Sequence, residues 1–309
     1  MKLNLFQKTA LITVTATLLL ILIGGLVRAA GAGLGCPDWP RCFGMWIPPL
    51  SAENLPSQFD SSLFNPYHTW IEYINRLMGV LIGLLIILTF AFSLKYRKKD
   101  PVIVWASAVA FILVLFQGWL GGQVVRSGLS AGMITIHMVV AMVIVNVLLY
   151  ATFRAMSRNV SISLSTSAKK TVMIVSGVLL FFTLVQLVLG TQVRESVDVA
   201  KNIFYMPRPE WLDSVGVIYE IHRSFSWVIV LLGGVLLYIN KKLQVPPILS
   251  GIGWTIAGLL ILQIFAGVGM ERLGMPGVLQ VIHLVSVAVL ICAEFLYMLI
   301  AGFSETGPD

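Results

Sequence analysis

The residues best able to bind a metal ion lie at repeated positions along the chain. His137 and His283 are 146 residues apart, and His222 lies 147 residues beyond Asn75. Other residues repeat with them: Gln117 with Gln263, Gly121 with Gly267, Arg126 with Arg272, Gly128 with Gly274, Arg76 with Arg223, and Val27-Arg28 with Val193-Arg194. This pattern predicts a tandem repeat. Its second half has a complete pair of histidines, whereas its first half has His137 and an asparagine in the other place.

Two histidines on facing helices can clamp a planar metal macrocycle between them. Neutral imidazole is a good axial ligand for haem iron, and the cores of four-helix bundles are common haem sites. His222 and His283 fit this use as ligands of a haem iron. The alternative is that both are core histidines bonded to helix carbonyls. Zinc is less favoured, because it requires three or four ligands and no third ligand is near in the sequence.

Charged residues accompany the ligand positions. Arg76 and Arg223 each follow one of them directly, and guanidinium groups bind carboxylates such as haem propionates well. Helix dipoles or snorkelling to the interface are the alternatives. Glu72 lies one turn before Asn75, where the second half has Tyr219. A carboxyl group in low-dielectric surroundings can exchange protons, so Glu72 is a candidate catalytic residue; an ion pair with Arg76 at i+4 is the alternative.

Three further residues have side chains able to react or to bind metal. Cys36 and Cys42 bracket five residues, and in an oxidising compartment such a pair can close a small, exposed disulfide loop. That bridge would be either structural or redox-active. His68 lies two turns outward of Asn75 and is more typical of an interfacial polar residue than of a ligand.

The elements that position these residues are membrane-spanning helices. The chain has 309 residues, of which 58% are hydrophobic and 11% charged, with a mean hydropathy of +0.90. A soluble domain carries about 25% charged residues, and a membrane helix needs roughly 20 apolar residues. Eight such stretches are predicted, at about 10–29, 69–94, 102–125, 132–153, 171–193, 217–239, 249–270 and 278–302. The first is expected to be a retained helix, because it is longer than the apolar part of a signal peptide and the repeat requires it.

These stretches predict an all-α integral membrane protein with two pseudo-symmetric four-helix bundles. The expected domains are residues 1–156, which would hold a substrate site, and 171–309, which would hold the two-histidine site, joined by a cytoplasmic linker at 157–170. Each repeat has an even number of helices, so both repeats enter the membrane in the same direction. Two outer loops are expected, at about 30–67 and 195–216.

The net charge of +7 does not indicate nucleic-acid binding. Lysine and arginine are concentrated in the short loops on the side of the N-terminus, so the positive-inside rule places both termini in the cytoplasm. Attraction to the membrane surface accounts for the excess of charge. All four ligand positions are then expected in the outer leaflet of the cell (inner) membrane.

These motifs resemble the haem A synthase family of cytochrome oxidase assembly. The resemblance rests on residues 33–42 (GLGCPDWPRC) and 72–76 (EYINR), on the three helix histidines and on eight predicted spans, so it covers essentially the whole chain. It implies an oxidoreductase that converts haem O to haem A, with haem b between His222 and His283 and haem O in the first bundle. It also implies a disulfide between Cys36 and Cys42. The family's Glu-x-x-His-Arg motif departs here at Asn75, so His137 binds the substrate iron alone, or Asn75 or His68 adds a weak sixth contact.

The implied reaction is oxidation of the methyl group at carbon 8 to a formyl group, by two hydroxylations and loss of water. Expected partners are membrane lipid, a haem O synthase, cytochrome oxidase assembly factors and an electron donor. Two other classes remain open. One is a b-type cytochrome that carries electrons across the membrane, although ligands near one face only argue against it. The other is a haem-binding assembly protein without catalytic activity.

Overall fold

The computed structural model describes residues 3–157 and 162–307, most of which form long α-helices. Eight helices of this described part are long and apolar enough to cross a membrane. They are α1 (Leu5–Ala29), α2 (Pro66–Ser93), α3 (Pro101–Arg126), α4 (Ala131–Met156), α5 (Thr166–Asn202), α6 (Val217–Lys242), α7 (Pro247–Arg272) and α8 (Gly277–Gly302). The eight predicted spans are confirmed, and the chain is a multi-pass membrane protein. Helices suit lipid because they satisfy their own backbone polar groups.

The chain forms two compact units, Met1–Val147 and Leu148–Asp309. In the first unit α2 packs against both α1 and α3. The buried hydroxyl groups of Thr13 and Thr89 hydrogen-bond across α1 and α2 at 2.9 Å. In the second unit α5 and α7 each pack against both α6 and α8, so every helix of that set has two neighbours. The bundle arrangement and the domain bounds 1–156 and 171–309 stay predictions.

The turns before α4 and α8 share one backbone conformation. Gly128 and Leu129 have φ values of 64° and 65°, and Gly274 and Met275 have values of 65° and 55°. Left-handed φ values favour glycine, which explains the glycine at the first of the two positions in each turn. In each turn the second residue donates its backbone N–H to the carbonyl five residues earlier, at 2.9 Å for Leu129 and 2.8 Å for Met275. His137 and His283 therefore follow identical turns at the same spacing.

The predicted loops differ from the structure at two places. Helix α5 continues to Asn202, so the first part of the predicted outer loop 195–216 is helical. An ion pair of 2.6 Å between Arg194 and Asp198, one turn apart, supports this extension, and Val197 is buried on its inner face. The predicted linker 157–170 contains residues 158–161, which lie outside the described part. Its last residues belong to α5, because the Ser165 hydroxyl caps that helix.

A small parallel sheet, absent from the predicted fold, lies at the end of α8. Strand β1 (Ser163–Ser165) pairs with β2 (Glu305–Gly307). Lys169 adds a hydrogen bond of 2.7 Å from its Nζ to the Ser304 carbonyl. These contacts fix the start of α5 to the end of α8.

Candidate functional site

The second unit brings its two histidines face to face. His222 on α6 and His283 on α8 have ring centroids 6.4 Å apart, with an angle of 68° between the ring planes. The Nδ1 atom of each ring is buried and has no hydrogen-bond partner in the described chain. The two rings therefore lie close together, and neither Nδ1 atom is bonded to a helix carbonyl of the described chain.

The spacing of the two rings fits a metal ion between them. A metal–imidazole bond is about 2 Å long, and the ring centroid lies about 1.1 Å behind its nitrogen, so two axial imidazoles on one metal have centroids about 6 Å apart. The observed distance of 6.4 Å agrees with this arrangement. The residues present thus fit the two axial positions of a haem iron.

The first unit places one histidine at the equivalent position. The Cε1 atom of His137 on α4 would lie 3.6 Å from a Cβ atom added at Gly121 of α3. The Nδ1 atom of His137 is also buried without a partner among the described residues. Asn75 on α2 has a buried and equally unpartnered Oδ1 atom, which faces Gly24 of α1. By position in the repeat, the first unit thus has one imidazole and one amide where the second unit has two imidazoles.

A glutamine from a neighbouring helix bonds the backbone of each of these three histidines. The Nε2 atom of Gln117 donates to the His137 carbonyl, that of Gln186 to the His222 carbonyl, and that of Gln263 to the His283 carbonyl. Each bond is 2.9 Å long. The sequence analysis noted the repeat of Gln117 and Gln263 but gave them no role, and it missed Gln186. The available signal was the cost of an amide side chain inside an apolar helix.

Glu72 and Arg76 form an ion pair on α2, as the alternative interpretation of the sequence predicted. Arg76 also donates to the carbonyl oxygens of Asp38 at 2.6 Å, Arg41 at 2.9 Å and Cys36 at 3.1 Å. Its Nε atom donates to Glu72 at 3.1 Å. All five N–H donors of the guanidinium therefore have partners within the protein. The expectation that Arg76 binds a propionate is corrected, because this arrangement leaves it no donor for one.

Glu72 lies almost completely inside the protein, with 4% of its surface exposed. Its Oε2 atom accepts a hydrogen bond of 3.0 Å from the backbone N–H of Cys36, while its Oε1 atom faces Arg76. The carboxylate thus ties the first outer loop to α2 one turn from Asn75. His68, two turns outward, is half-buried in the first turn of the same helix.

Cys36 and Cys42 are joined by a disulfide bond, as expected from the family resemblance. The expectation of an exposed bridge is wrong, because both cysteines are fully buried and pack with Phe43. The loop approaches α2 so closely that a Cβ atom at Gly35 would lie 2.8 Å from the Thr69 nitrogen. The Thr69 hydroxyl donates to the Gly35 carbonyl at 2.8 Å. This burial favours the structural role for the disulfide over the redox-active one.

Arg223 has fewer contacts within the protein than its counterpart Arg76. Its side chain is 55% exposed and forms one ion pair of 3.3 Å with Glu271 of α7. The guanidinium also lies 5.5 Å from the ring centroid of Tyr219. Its planar donors remain accessible for a carboxylate ligand beside His222.

Several proteins similar to this chain are haem A synthases. The chain is similar to the haem A synthases of Shewanella oneidensis, with 27% identity over 88% of this chain and 89% of the relative, and of Rickettsia africae, with 25% identity over 92% and 94%. It is also similar to the haem A synthase of a Wolbachia species of Brugia malayi, with 28% identity over 86% and 87%. A profile of the cytochrome oxidase assembly protein family, COX15-CtaA, matches residues 7–295. The chain therefore belongs to the COX15-CtaA family of cytochrome oxidase assembly proteins.

Proposed function

We propose that this protein is a haem A synthase, an oxidoreductase that converts haem O to haem A for cytochrome oxidase. The net change replaces two hydrogens of the methyl group at carbon 8 with one oxygen, which gives a formyl group. Family membership across residues 7–295 and the haem A synthases among its relatives support the reaction. The single observation that carries the site is the pair of facing rings of His222 and His283, 6.4 Å apart.

The second unit holds a haem b as a resident cofactor. His222 and His283 would hold it through their imidazole nitrogens, and Arg223 would supply donors for a propionate. When bound, such a group supplies one-electron redox chemistry. The protein's part would be to hold the two imidazoles facing each other and to exclude water from the space between the helices.

The first unit holds haem O as the substrate, with His137 as its main protein ligand. The amide oxygen of Asn75 is a weak ligand for haem iron compared with imidazole, which suits a site that accepts a substrate and releases a product. Glu72, one turn away, is the candidate for proton exchange near the reacting edge. Arg76 positions Glu72 and the disulfide loop through its five hydrogen bonds, so one wall of this site is fixed before the substrate arrives.

The protein acts in the cell (inner) membrane with both termini in the cytoplasm and both haem sites near the outer face. Haem O reaches it from a haem O synthase, and assembly factors of cytochrome oxidase receive the product. Because the conversion removes four electrons from the methyl group, each of the two hydroxylations takes its oxygen from an oxidant of the dioxygen class, takes two electrons from an electron donor together with two protons, and releases one water. The basic loops on the N-terminal side and the apolar outer surfaces of the helices support this placement.

Haem extraction after co-expression with a haem O synthase tests the proposed reaction. We expect a pigment heavier than haem O by one oxygen and lighter by two hydrogens. A b-type electron carrier or a non-catalytic haem-binding protein would return haem O unchanged. That result, in protein that carries its full haem content, would contradict the proposal.

A further inference from the structure

The three glutamines that bond histidine carbonyls form a pattern with one gap. A carbonyl inside a helix already accepts the backbone N–H four residues later, so a second bond from another helix is an addition and not a replacement. An amide side chain inside a membrane is costly and is retained where it has a partner or a task. Here the same bond of 2.9 Å occurs at His137, at His222 and at His283. No general requirement of helix packing puts a glutamine opposite a histidine three times.

The gap appears when α1 is compared with α5, its repeat partner. Residues 17–28 of α1 (TLLLILIGGLVR) align with residues 183–194 of α5 (TLVQLVLGTQVR) at a constant offset of 166. Gln186 then falls on Leu20, while Gly190 falls on Gly24. The first half therefore lacks the glutamine on α1 that corresponds to Gln186. It also has Asn75 on α2 at the position that corresponds to His222.

The backbone geometry around this gap is retained. A Cβ atom added at Gly190 would lie 3.1 Å from Cε1 of His222, and one added at Gly24 would lie 3.9 Å from Oδ1 of Asn75. Each glycine thus leaves room for the side chain opposite it in both halves. The first half has the same space beside residue 75 of α2. It has neither an imidazole at that position nor a glutamine amide on α1 that could bond the backbone carbonyl of residue 75.

We propose that Gln117, Gln186 and Gln263 are positioning residues for the histidines that bind iron, and that Leu20 together with Asn75 marks a position without a histidine ligand and without its positioning amide. Each amide fixes how far one helix is shifted along its axis, and how it is rotated about that axis, relative to its neighbour. It does so at the turn that carries the imidazole. The orientation of the ring toward the iron then follows from the orientation of that turn. The inference rests on the proposed haem sites and deepens them.

Titration of the purified, haem-depleted protein with haemin tests the role of Gln186. Gln186→Met keeps the length of the side chain and removes the amide, and Gln192→Met on the same helix is the matched control, because six residues along a helix place it on another face. We expect Gln186→Met to weaken haem binding in the second unit by about 10–100-fold. Its low-spin electron paramagnetic resonance signal should also shift, since that signal reports the angle between two axial imidazoles. Gln192→Met should match the wild type in both.

A gain of ligation tests the gap. In a His222→Ala background, where the second pair is broken, Asn75→His should give a low-spin signal in only part of the protein. Adding Leu20→Gln should raise that fraction several-fold. Equal fractions with and without Leu20→Gln would overturn the inference, as would identical affinity and spectrum of Gln186→Met and Gln192→Met. These results leave the proposed reaction untouched, whereas wild-type protein that binds haem through two imidazoles but forms no haem A would remove the reaction and leave the inference standing.

Discussion

Asn75 and His222 occupy matching places in the two halves and differ in what they can do to iron. His222 meets His283 at a distance that suits two axial bonds to one metal. Asn75 presents a buried amide oxygen without a partner in the described chain, and His137 is the histidine at the other repeat-matched position of the first half. A strongly held group and an exchangeable one are therefore expected in the second and first units, respectively.

The first prediction concerns the axial pair. Replacing His222 or His283 with Ala should remove the low-spin haem b signal, because one imidazole cannot keep a six-coordinate iron in that state. Optical spectra of the reduced, purified variants provide the measurement, and His68→Ala, which alters a half-buried histidine outside the pair, is the control. Wild-type spectra in both pair variants would show that this haem is held elsewhere.

The second prediction separates two roles of Glu72. Glu72→Gln keeps an acceptor for the Cys36 N–H but removes the acid, so haem A output should fall by about 10²–10⁴-fold if the carboxyl transfers protons. Arg76→Gln breaks the same ion pair and keeps the acid, so its main effect should be on stability through the lost loop contacts. Output and unfolding temperature are measured for both variants. Normal haem A output from Glu72→Gln would show that Glu72 only holds the loop in place and does not transfer protons.

Sequence reasoning at this scale succeeded where the repeat supplied the information. The repeat spacing singled out His222 and His283, whose rings lie 6.4 Å apart on α6 and α8, while the role of His137 stays a prediction. It failed for Arg76, because a sequence does not show that a loop folds back and presents three carbonyl oxygens to the guanidinium. The prediction that the disulfide is exposed was wrong for the same reason, because the burial of Cys36 and Cys42 depends on contacts with α2.

At the scale of the helices, α8 carries an acidic residue that the first half lacks. Glu294 has 1% of its surface exposed and accepts a hydrogen bond of 2.9 Å from the Thr183 hydroxyl of α5. Its Oε2 atom is buried without a partner in the described part of the chain. The repeat places Leu148, fully buried, at the matching position of α4. A buried, unsatisfied polar atom of this kind lowers the stability of the helix pair.

The third prediction follows from that comparison. Glu294→Leu should stabilise the protein by about 1–3 kcal/mol, because it removes the unsatisfied oxygen and places an aliphatic side chain where the repeat already has one. Thermal unfolding in detergent, followed by loss of monodisperse protein in gel filtration, provides the measurement. A lower unfolding temperature would mean that the hydrogen bond with Thr183 outweighs the cost of burial.

Hydropathy located all eight helices but set some of their ends too early or too late. The last turns of α5 carry Arg194, Asp198 and Lys201, and such a charged segment predicts a loop. The structure shows a helix there, supported by the ion pair between Arg194 and Asp198 and by a buried inner face. Strands of three residues have no periodic signal, so β1 and β2 could not be predicted.

At the scale of the whole molecule, the distribution of basic residues predicts the orientation of the chain in the membrane. The fourth prediction uses two exposed residues in loops on opposite sides, Ser57 before α2 and Lys98 between α2 and α3. A membrane-impermeant thiol reagent applied to intact cells should label Ser57→Cys and not Lys98→Cys. Permeabilised cells, in which both should react, are the control. Labelling of Lys98→Cys alone in intact cells would invert the topology and move the haem sites to the cytoplasmic face.

The account as a whole depends on a substrate held by His137 in the first unit and a separate resident haem in the second. Haem A output and haem b content, measured together in one set of variants co-expressed with a haem O synthase, test it most directly. His137→Ala should abolish haem A and keep haem b. Asn75→Ala should be milder, and Asn75→His should give a low-spin site with slower turnover. Normal haem A output from His137→Ala would contradict the account, because the substrate would then not be held by the first unit's histidine.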